Sequence, residues 1–194
     1  MKNRVITISR QFGSGGRTIG KKLAARLGIP CYDQDLIEKI AKESGFTKEY
    51  ISEKSEYSSH GGWMASVFSD RDYSGHSHQD DLWSIQRKII LDLAQQGPCV
   101  IVGRCADYIL RDTADCLRVF IHADLDKRAE RIVNQYGESS DAPAKRLKDK
   151  DKRRAAYYQF YTDWKWGSAQ NYHITLNSSV LGIEKCVELL ASLY

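Results

Sequence analysis

The chain has 194 residues, of which 42% are hydrophobic, and a formal net charge of +4. This length supports one well-buried core and argues against two independent domains, so we expect a single domain over residues 1–194. No apolar run approaches the roughly 20 residues needed to cross a bilayer, and no apolar signal stretch follows Met1, which predicts a soluble cytoplasmic protein without a membrane partner.

Strands and helices alternate along the chain. The apolar run 4–9 predicts a buried first strand, and Ile19, Leu23 and Leu27, at helical spacing, predict a helix that ends at Gly28. The other predicted strands are 29–32, 99–103, 117–122 and 173–177, and the other predicted helices are 36–45, 82–96, 106–110, 126–136, 144–161 and 182–193. This order predicts an α/β fold, a parallel sheet with helices on both faces.

Two stretches depart from this alternation. Residues 47–81 are polar and show no clear period, which predicts a mobile insertion over the edge of the sheet. Basic side chains are concentrated between Arg128 and Arg154, and this local excess suits phosphorylated ligands or nucleic acid.

The glycine cluster between the first strand and the first helix predicts a phosphate loop. Glycines let successive backbone N–H groups turn toward an anion, and the N-terminus of the following helix favours negative charge. We therefore predict that this loop binds the phosphates of ATP. The predicted loop residues are Gly13, Ser14, Gly15, Gly16, Arg17 and Thr18.

The loop does not match the usual pattern G-x-x-x-x-G-K-[ST] literally, and two alignments are open. In the first, Arg17 replaces the lysine, Thr18 keeps the hydroxyl that binds Mg²⁺, and Gln11 replaces the leading glycine. In the second, which is set by the strand, Gly16 stands at the lysine and Arg17 at the hydroxyl. The ordinary alternative is a glycine-rich turn without a ligand.

Several segments in order along the chain carry a family resemblance. They are ITISRQFGSGGRTIGKKLAARLG, YDQDLIEKIAKESG, IVGRCADYIL, VFIHADLDKRAERI, DKDKRRAAYYQFY and WGSAQNYHITLNSS. Through them the chain resembles the cytidylate kinase-like family of P-loop proteins, almost from end to end. The resemblance implies a P-loop NTPase-type sheet with a helical lid, ATP and Mg²⁺ as cofactors, and a nucleoside monophosphate or related small acceptor.

The resemblance also implies roles for individual residues. Gly103 and Arg104 match a Gly-Arg-Asp motif whose arginine meets the monophosphate, although Cys105 replaces the aspartate. Arginines of the family pattern fall on a helix and in a basic lid at about 137–166. The resulting candidates are Arg128, Arg131 and Arg154 for catalysis, and Arg104, Asp151 and Arg153 for the substrate, while the phosphate-loop pattern adds Arg17 as a catalytic candidate. Without the resemblance, a solvated helix face is an equal alternative for the basic helices.

Asp33 and Asp35 follow the second strand, at the carboxyl edge where open α/β sheets bind ligands. One of them could hold Mg²⁺-bound water or orient the acceptor, and an N-cap role for Asp35 is an equal alternative. The family pattern has an arginine shortly after this point, where Lys39 could substitute.

The weaker patterns favour ordinary structural roles. Five widely spaced cysteines without CxxC pairs indicate reduced thiols, and the run HSHQDD at 76–81 is a poor metal site because its ligands share no helix face. The aromatic residues of 157–166 are predicted to pack on the sheet rather than to stack bases.

We therefore predict an ATP-dependent kinase. A nucleotide-binding regulator that has lost turnover is the main alternative, and a nucleic-acid binder that uses helix 144–166 ranks last.

Overall fold

The computed structural model describes residues 4–33 and 78–194, together with Leu36, Lys42, Glu43 and Gly45. Asp35, Lys39, most of the predicted helix 36–45 and residues 47–77 of the predicted insertion lie outside the described residues. Elements are numbered below within the described part.

The strands are β1 (Val5–Arg10), β2 (Cys31–Tyr32), β3 (Cys99–Val102), β4 (Cys116–His122) and β5 (Ile174–Asn177). The helices are α1 (Gly16–Leu27), α2 (His78–Gln96), α3 (Ala106–Ile109), α4 (Leu125–Asn134), α5 (Pro143–Thr162) and α6 (Ser178–Ser192), and a 3₁₀ turn covers Ala169–Asn171.

The five strands form one sheet in the order β2-β3-β1-β4-β5, and every pair is parallel. β1 lies at the centre and is buried on both faces, which explains its continuous apolar sequence. Val5 packs with α2 and α3 on one face, whereas Ile6 and Ile8 pack with α1 and α6 on the other. The predicted α/β fold, a parallel sheet covered on both faces, is therefore confirmed.

Two helices begin four residues earlier than the sequence pattern predicted. α2 begins at His78 rather than at residue 82, and Asp80 and Asp81 lie in its first turn, where the helix dipole favours acidic side chains. α6 begins at Ser178 because the Asn177 side chain accepts a hydrogen bond from the Ser179 amide and caps the helix. Gly182, the predicted start, is instead a kink with φ of 75°.

The parallel arrangement brings three loops to the carboxyl edge of the sheet. They follow β1, β3 and β4, the three adjacent central strands. Ligands of open α/β sheets bind at this edge. Within the described ranges, no helix is long and apolar enough to cross a membrane.

Candidate functional site

A cleft of about 340 Å³ lies at the carboxyl end of β1. Its walls come from the end of β1, the following loop, the first turn of α1, the segment after α4, and α5. The lining residues are Arg10, Gln11, Phe12, Gly13, Gly15, Gly16, Arg17, Thr18, Tyr136, Glu138 and Arg154. Five of the six predicted loop residues therefore line one cleft, and Ser14 is buried behind them.

The loop after β1 requires glycine at two positions for different reasons. Gly15 has φ of 80°, and a Cβ atom there would lie 2.5 Å from Ile183 Cδ1. A Cβ atom on Gly16 would lie 2.6 Å from Arg10 Cβ. Gly16 is the first residue of α1, so the first backbone N–H groups of this helix have no preceding turn to bond. The loop and the helix end together form an anion-binding geometry.

Three predicted arginines donate hydrogen bonds to carbonyl oxygens of the loop and of the end of β1. Arg128 Nη1 lies 3.2 Å from the Phe12 oxygen, and Arg131 Nη1 lies 2.8 Å from the Gly13 oxygen. Arg154 Nη1 lies 3.0 Å from the Arg10 oxygen. Of these three arginines, only Arg154 is among the described residues that line the cleft. Arg128 and Arg131 hold the loop in place through its carbonyls.

Asp151 connects α5 to the loop and to α4. Its Oδ1 accepts a hydrogen bond from the Phe12 amide at 2.7 Å, and its Oδ2 lies 2.5 Å from Arg128 Nη1. The Arg128 and Asp151 side chains are only 8% and 15% exposed. Both carboxylate oxygens of Asp151 are thus engaged within the protein. Arg153 is half-buried on the same helix and is not among the lining residues of the cleft.

Arg17 and Asp33 form an ion pair at the wall of the cleft. Arg17 Nε lies 2.5 Å from Asp33 Oδ2, and the Asp33 side chain is 4% exposed whereas that of Arg17 is 41% exposed. Within the described part of the chain, neither Asp33 oxygen accepts a hydrogen bond of good geometry, so the contact is primarily electrostatic. Thr18 is exposed to the cleft one residue further along α1.

A second, smaller cavity of about 10 Å³ surrounds Arg104, room for roughly one water molecule. Arg104 is 1% exposed, and its carbonyl accepts a hydrogen bond from Gln86 Nε2 at 3.1 Å. The φ angles of Gly103, Arg104 and Cys105 are 76°, 61° and 54°. Left-handed backbone at two non-glycine residues costs about 1–3 kcal/mol each and is typical of functional sites. Arg154 lines both cavities, and so does Arg10.

A buried carboxylic acid lies next to the smaller cavity. Asp107 accepts hydrogen bonds from Ser9 Oγ at 3.3 Å and Tyr158 Oη at 2.6 Å, and both donors line this cavity. Burial raises the pKa of Asp107, and burial together with the nearby Asp107 raises the pKa of Tyr158. The Gly-Arg-Asp motif has its aspartate at the position of Cys105, and Asp107 lies two residues later, in the first turn of α3.

Most aromatic residues of α5 and its flank pack against other parts of the protein, whereas Phe160 is exposed. Tyr161 stacks on Trp83 with ring centroids 4.4 Å apart, and Trp166 meets Phe120 edge-on at 5.3 Å. The predicted packing on the sheet is confirmed for Trp166, whereas Tyr161 packs on α2. His76 lies outside the described residues, and the described residues contain no cluster of three or more His, Cys, Asp or Glu side chains that could hold a metal ion.

The cleft residues fit the phosphates of a nucleotide. The glycine loop offers backbone N–H groups, Arg10 and Arg154 bring positive charge, and any Cβ atom at Gly16 would narrow the space. Mg²⁺ usually keeps several waters and binds through substrate phosphates and few protein ligands. The Thr18 hydroxyl at the cleft wall fits such a site.

Known proteins with similar sequences include cytidylate kinases. The family model described as "Cytidylate kinase-like family" matches residues 5–180. The cytidylate kinase of Pyrococcus horikoshii is 26% identical over 159 residues, which cover 81% of this chain and 71% of that protein.

Similar solved structures share the fold over nearly the whole chain. The crystal structure of an uncharacterized protein from Eubacterium ventriosum is 26% identical with a TM-score of 0.74, and the match covers 97% of this chain and 96% of that one. A shikimate kinase from Bacteroides thetaiotaomicron is 18% identical with a TM-score of 0.54, over 97% and 96% of the two chains, and it shows the P-loop kinase fold alone. On the extent of the family match, the chain belongs to the cytidylate kinase-like family.

Proposed function

We propose that the protein is an ATP-dependent phosphotransferase whose acceptor is a nucleoside monophosphate of the cytidylate type or a related small phosphorylated molecule. The observation that carries this proposal is the pair of adjacent cavities at the carboxyl edge of the sheet. Arg10 and Arg154 line both of them. Phosphoryl transfer needs donor and acceptor phosphates side by side, with positive charge between them.

The donor belongs in the larger cleft. The amides of the loop and the first turn of α1 would bind the phosphates of ATP, and Thr18, which is exposed at the cleft wall, would contribute a hydroxyl to Mg²⁺ in either alignment of the loop. Arg128, Arg131 and Asp151 support this role indirectly, since their bonds to Phe12 and Gly13 fix the loop before the ligand arrives.

The acceptor phosphate belongs near Arg104. This side chain lies in the smaller cavity, and the cytidylate kinases among the relatives support assigning a monophosphate to it. A cavity of about 10 Å³ holds a water and not a phosphate, so the acceptor requires the walls to move apart. Domain and lid closure around substrates is common in kinases.

Catalysis would rest on position and charge. Mg²⁺, held by the ATP phosphates and Thr18, would offset the negative charge of the phosphate oxygens. Arg154, between the two cavities, would stabilise the negative charge of the transferring group, and its bond to the Arg10 carbonyl holds it there. No covalent nucleophile from the chain is needed for direct transfer.

A nucleotide-binding regulator without turnover is the second candidate. Gly16 stands at the lysine position of the strand-set alignment, and Cys105 stands where the family motif has aspartate. Arg17, the other candidate for the lysine, is paired with Asp33. These observations favour binding without transfer.

The test is an ADP-release assay with Mg-ATP and a panel of nucleoside monophosphates and small phosphorylated alcohols. We expect acceptor-dependent ADP formation in the wild type and a loss of about 100-fold or more in Arg154→Ala, the size of effect reported when one preorganised donor is removed. Arg26→Ala is the matched control, because Arg26 is exposed at the far end of α1. Binding of Mg-ATP with no ADP release on any acceptor would support the regulator instead.

A further inference from the structure

Arg10 is the last residue of β1, and it stands where the phosphate-loop pattern begins with glycine. When the pattern is aligned on the strand, Arg10 takes the place of the leading glycine, Gly15 takes the second glycine, and Gly16 takes the lysine. The two departures from the pattern are reciprocal. The chain has a basic residue where the pattern has glycine, and glycine where the pattern has a basic residue.

The two positions are in direct contact. A Cβ atom on Gly16 would lie 2.6 Å from Arg10 Cβ and 3.0 Å from Arg10 Cγ. Real Cβ atoms do not approach other carbon atoms this closely, so the Arg10 stem fills the space in which a side chain at position 16 would start. A lysine at 16 and an arginine at 10 therefore exclude each other, and the substitution at one position explains the substitution at the other.

The position of Arg10 is fixed by its surroundings. It is 5% exposed, its backbone pairs with Ile121 of β4, and its carbonyl accepts the hydrogen bond from Arg154. It lines the cleft beside Gly16 and also lines the smaller cavity. Arg17 is the competing candidate, and its Nε is 2.5 Å from the Asp33 carboxylate.

We propose that Arg10 supplies, from the end of β1, the phosphate-binding cation that the pattern supplies by a lysine from the start of the helix. The ligand class is a nucleoside di- or triphosphate, held by its β-phosphate and, in a triphosphate, also by its γ-phosphate. The proposal therefore rests on the donor site of the proposed function. Arginine suits this position because its planar guanidinium can bind two phosphate oxygens at once.

A reciprocal exchange tests the proposal. Calorimetric titration with Mg-ADP and Mg-ATP is carried out on the wild type, Arg10→Gly, Gly16→Lys and the double variant Arg10→Gly/Gly16→Lys. Each single variant is expected to bind about 10- to 100-fold more weakly, the loss expected for one charge-assisted contact. The double variant is expected to recover most of the wild-type affinity, because it rebuilds the lysine-containing loop.

Two further variants separate charge from packing. Arg10→Met keeps a stem against Gly16 and removes the charge, so it is expected to fold as the wild type does and still lose about 10- to 100-fold in affinity. Gly16→Ala is expected to lower the midpoint of urea unfolding in the wild type but much less in the Arg10→Gly background. This second readout depends on the contact between the two residues and on no ligand.

The outcomes distinguish this proposal from the proposed function. A wild type that binds neither nucleotide would overturn the donor site and with it the proposed function. Two outcomes would overturn the role of Arg10 alone in a wild type that binds nucleotide. Either Arg10→Met binds as tightly as the wild type, or the affinity loss of the double variant equals the sum of the two single losses. Arg17→Ala with a larger loss than Arg10→Met would assign the cation to Arg17.

Discussion

The buried ion pair between Arg128 and Asp151 should make Asp151→Asn a strongly destabilising substitution. The asparagine oxygen can still accept the Phe12 amide, so the change removes mainly the charge opposite Arg128. The Arg128 side chain is 8% exposed, and its Nε has no hydrogen-bond partner within the described residues. Removing one partner of such a pair leaves a buried charge without compensation and costs about 3–5 kcal/mol.

The lower part of this range applies because Arg128 keeps its bond to the Phe12 carbonyl. We expect a loss of about 3 kcal/mol in the free energy of unfolding, and since a domain of this size loses about 2–4 °C per kcal/mol, a fall in Tm of about 6–12 °C. Urea unfolding followed by circular dichroism measures the loss. Asp149→Asn, an exposed acid two residues away, is the control and should change the free energy of unfolding by less than about 0.5 kcal/mol.

A second substitution tests the cause of the loss. Arg128→Met removes the charge left behind in Asp151→Asn, so the double variant should be more stable than Asp151→Asn alone. Equal stabilities of Asp151→Asn and the Asp149→Asn control would refute the reasoning.

Three further predictions follow from the described contacts. Burial raises the pKa of Asp107, so the folded protein keeps a proton that the unfolded chain releases above about pH 4. The stability that this group contributes therefore falls as pH rises toward its folded pKa. In urea unfolding between pH 4.5 and 8, the free energy of unfolding of Asp107→Asn should rise relative to that of the wild type, and a pH-independent difference would contradict this. Burial raises the pKa of Cys99 to about 12 and that of Cys116 to about 11, so both thiols should resist iodoacetamide at pH 8 until the protein is unfolded, as mass spectrometry would show. Gly15→Ala should lower the free energy of unfolding by about 1–3 kcal/mol, because position 15 has a positive φ and the new Cβ atom would contact Ile183 Cδ1. Ile183→Val deletes that methyl group, so the double variant should recover the part of the loss that comes from the contact and not the part that comes from the backbone.

The strands of the sheet and the helix α1 were predictable from the sequence because their apolar residues occur at the positions that are buried. β1 is apolar at successive positions since both its faces are covered, and Ile19 and Leu23 recur on the face of α1 that packs on the sheet. The pattern predicted the part of α6 that follows the kink at Gly182 and missed the turn that begins at Ser178, because Gly182 was interpreted as a boundary. The capping side chain of Asn177, the residue before the helix, was the better indicator.

The roles of the arginines were not predictable, because they depend on contacts between distant parts of the chain. Arg131 and Gly13 are 118 residues apart, and nothing local in α4 indicates that its arginine bonds a loop carbonyl. Arg10 was missed for another reason. The pattern places its lysine at the start of the helix, so Arg17 was the candidate, whereas Arg10, which is in contact with Gly16, precedes the loop.

In the proposed function, the two adjacent cavities bind ATP and a small phosphorylated acceptor, and a phosphoryl group passes from one to the other. The most direct measurement is transfer of label from γ-³²P-ATP, with Mg²⁺, to each of the four common nucleoside monophosphates, with the products separated by chromatography. We expect label in a nucleoside diphosphate, formed fastest with a pyrimidine acceptor and about 100-fold or more slowly in Arg154→Ala. Label that stays on ATP with every acceptor, while the wild type binds Mg-ATP, would contradict it.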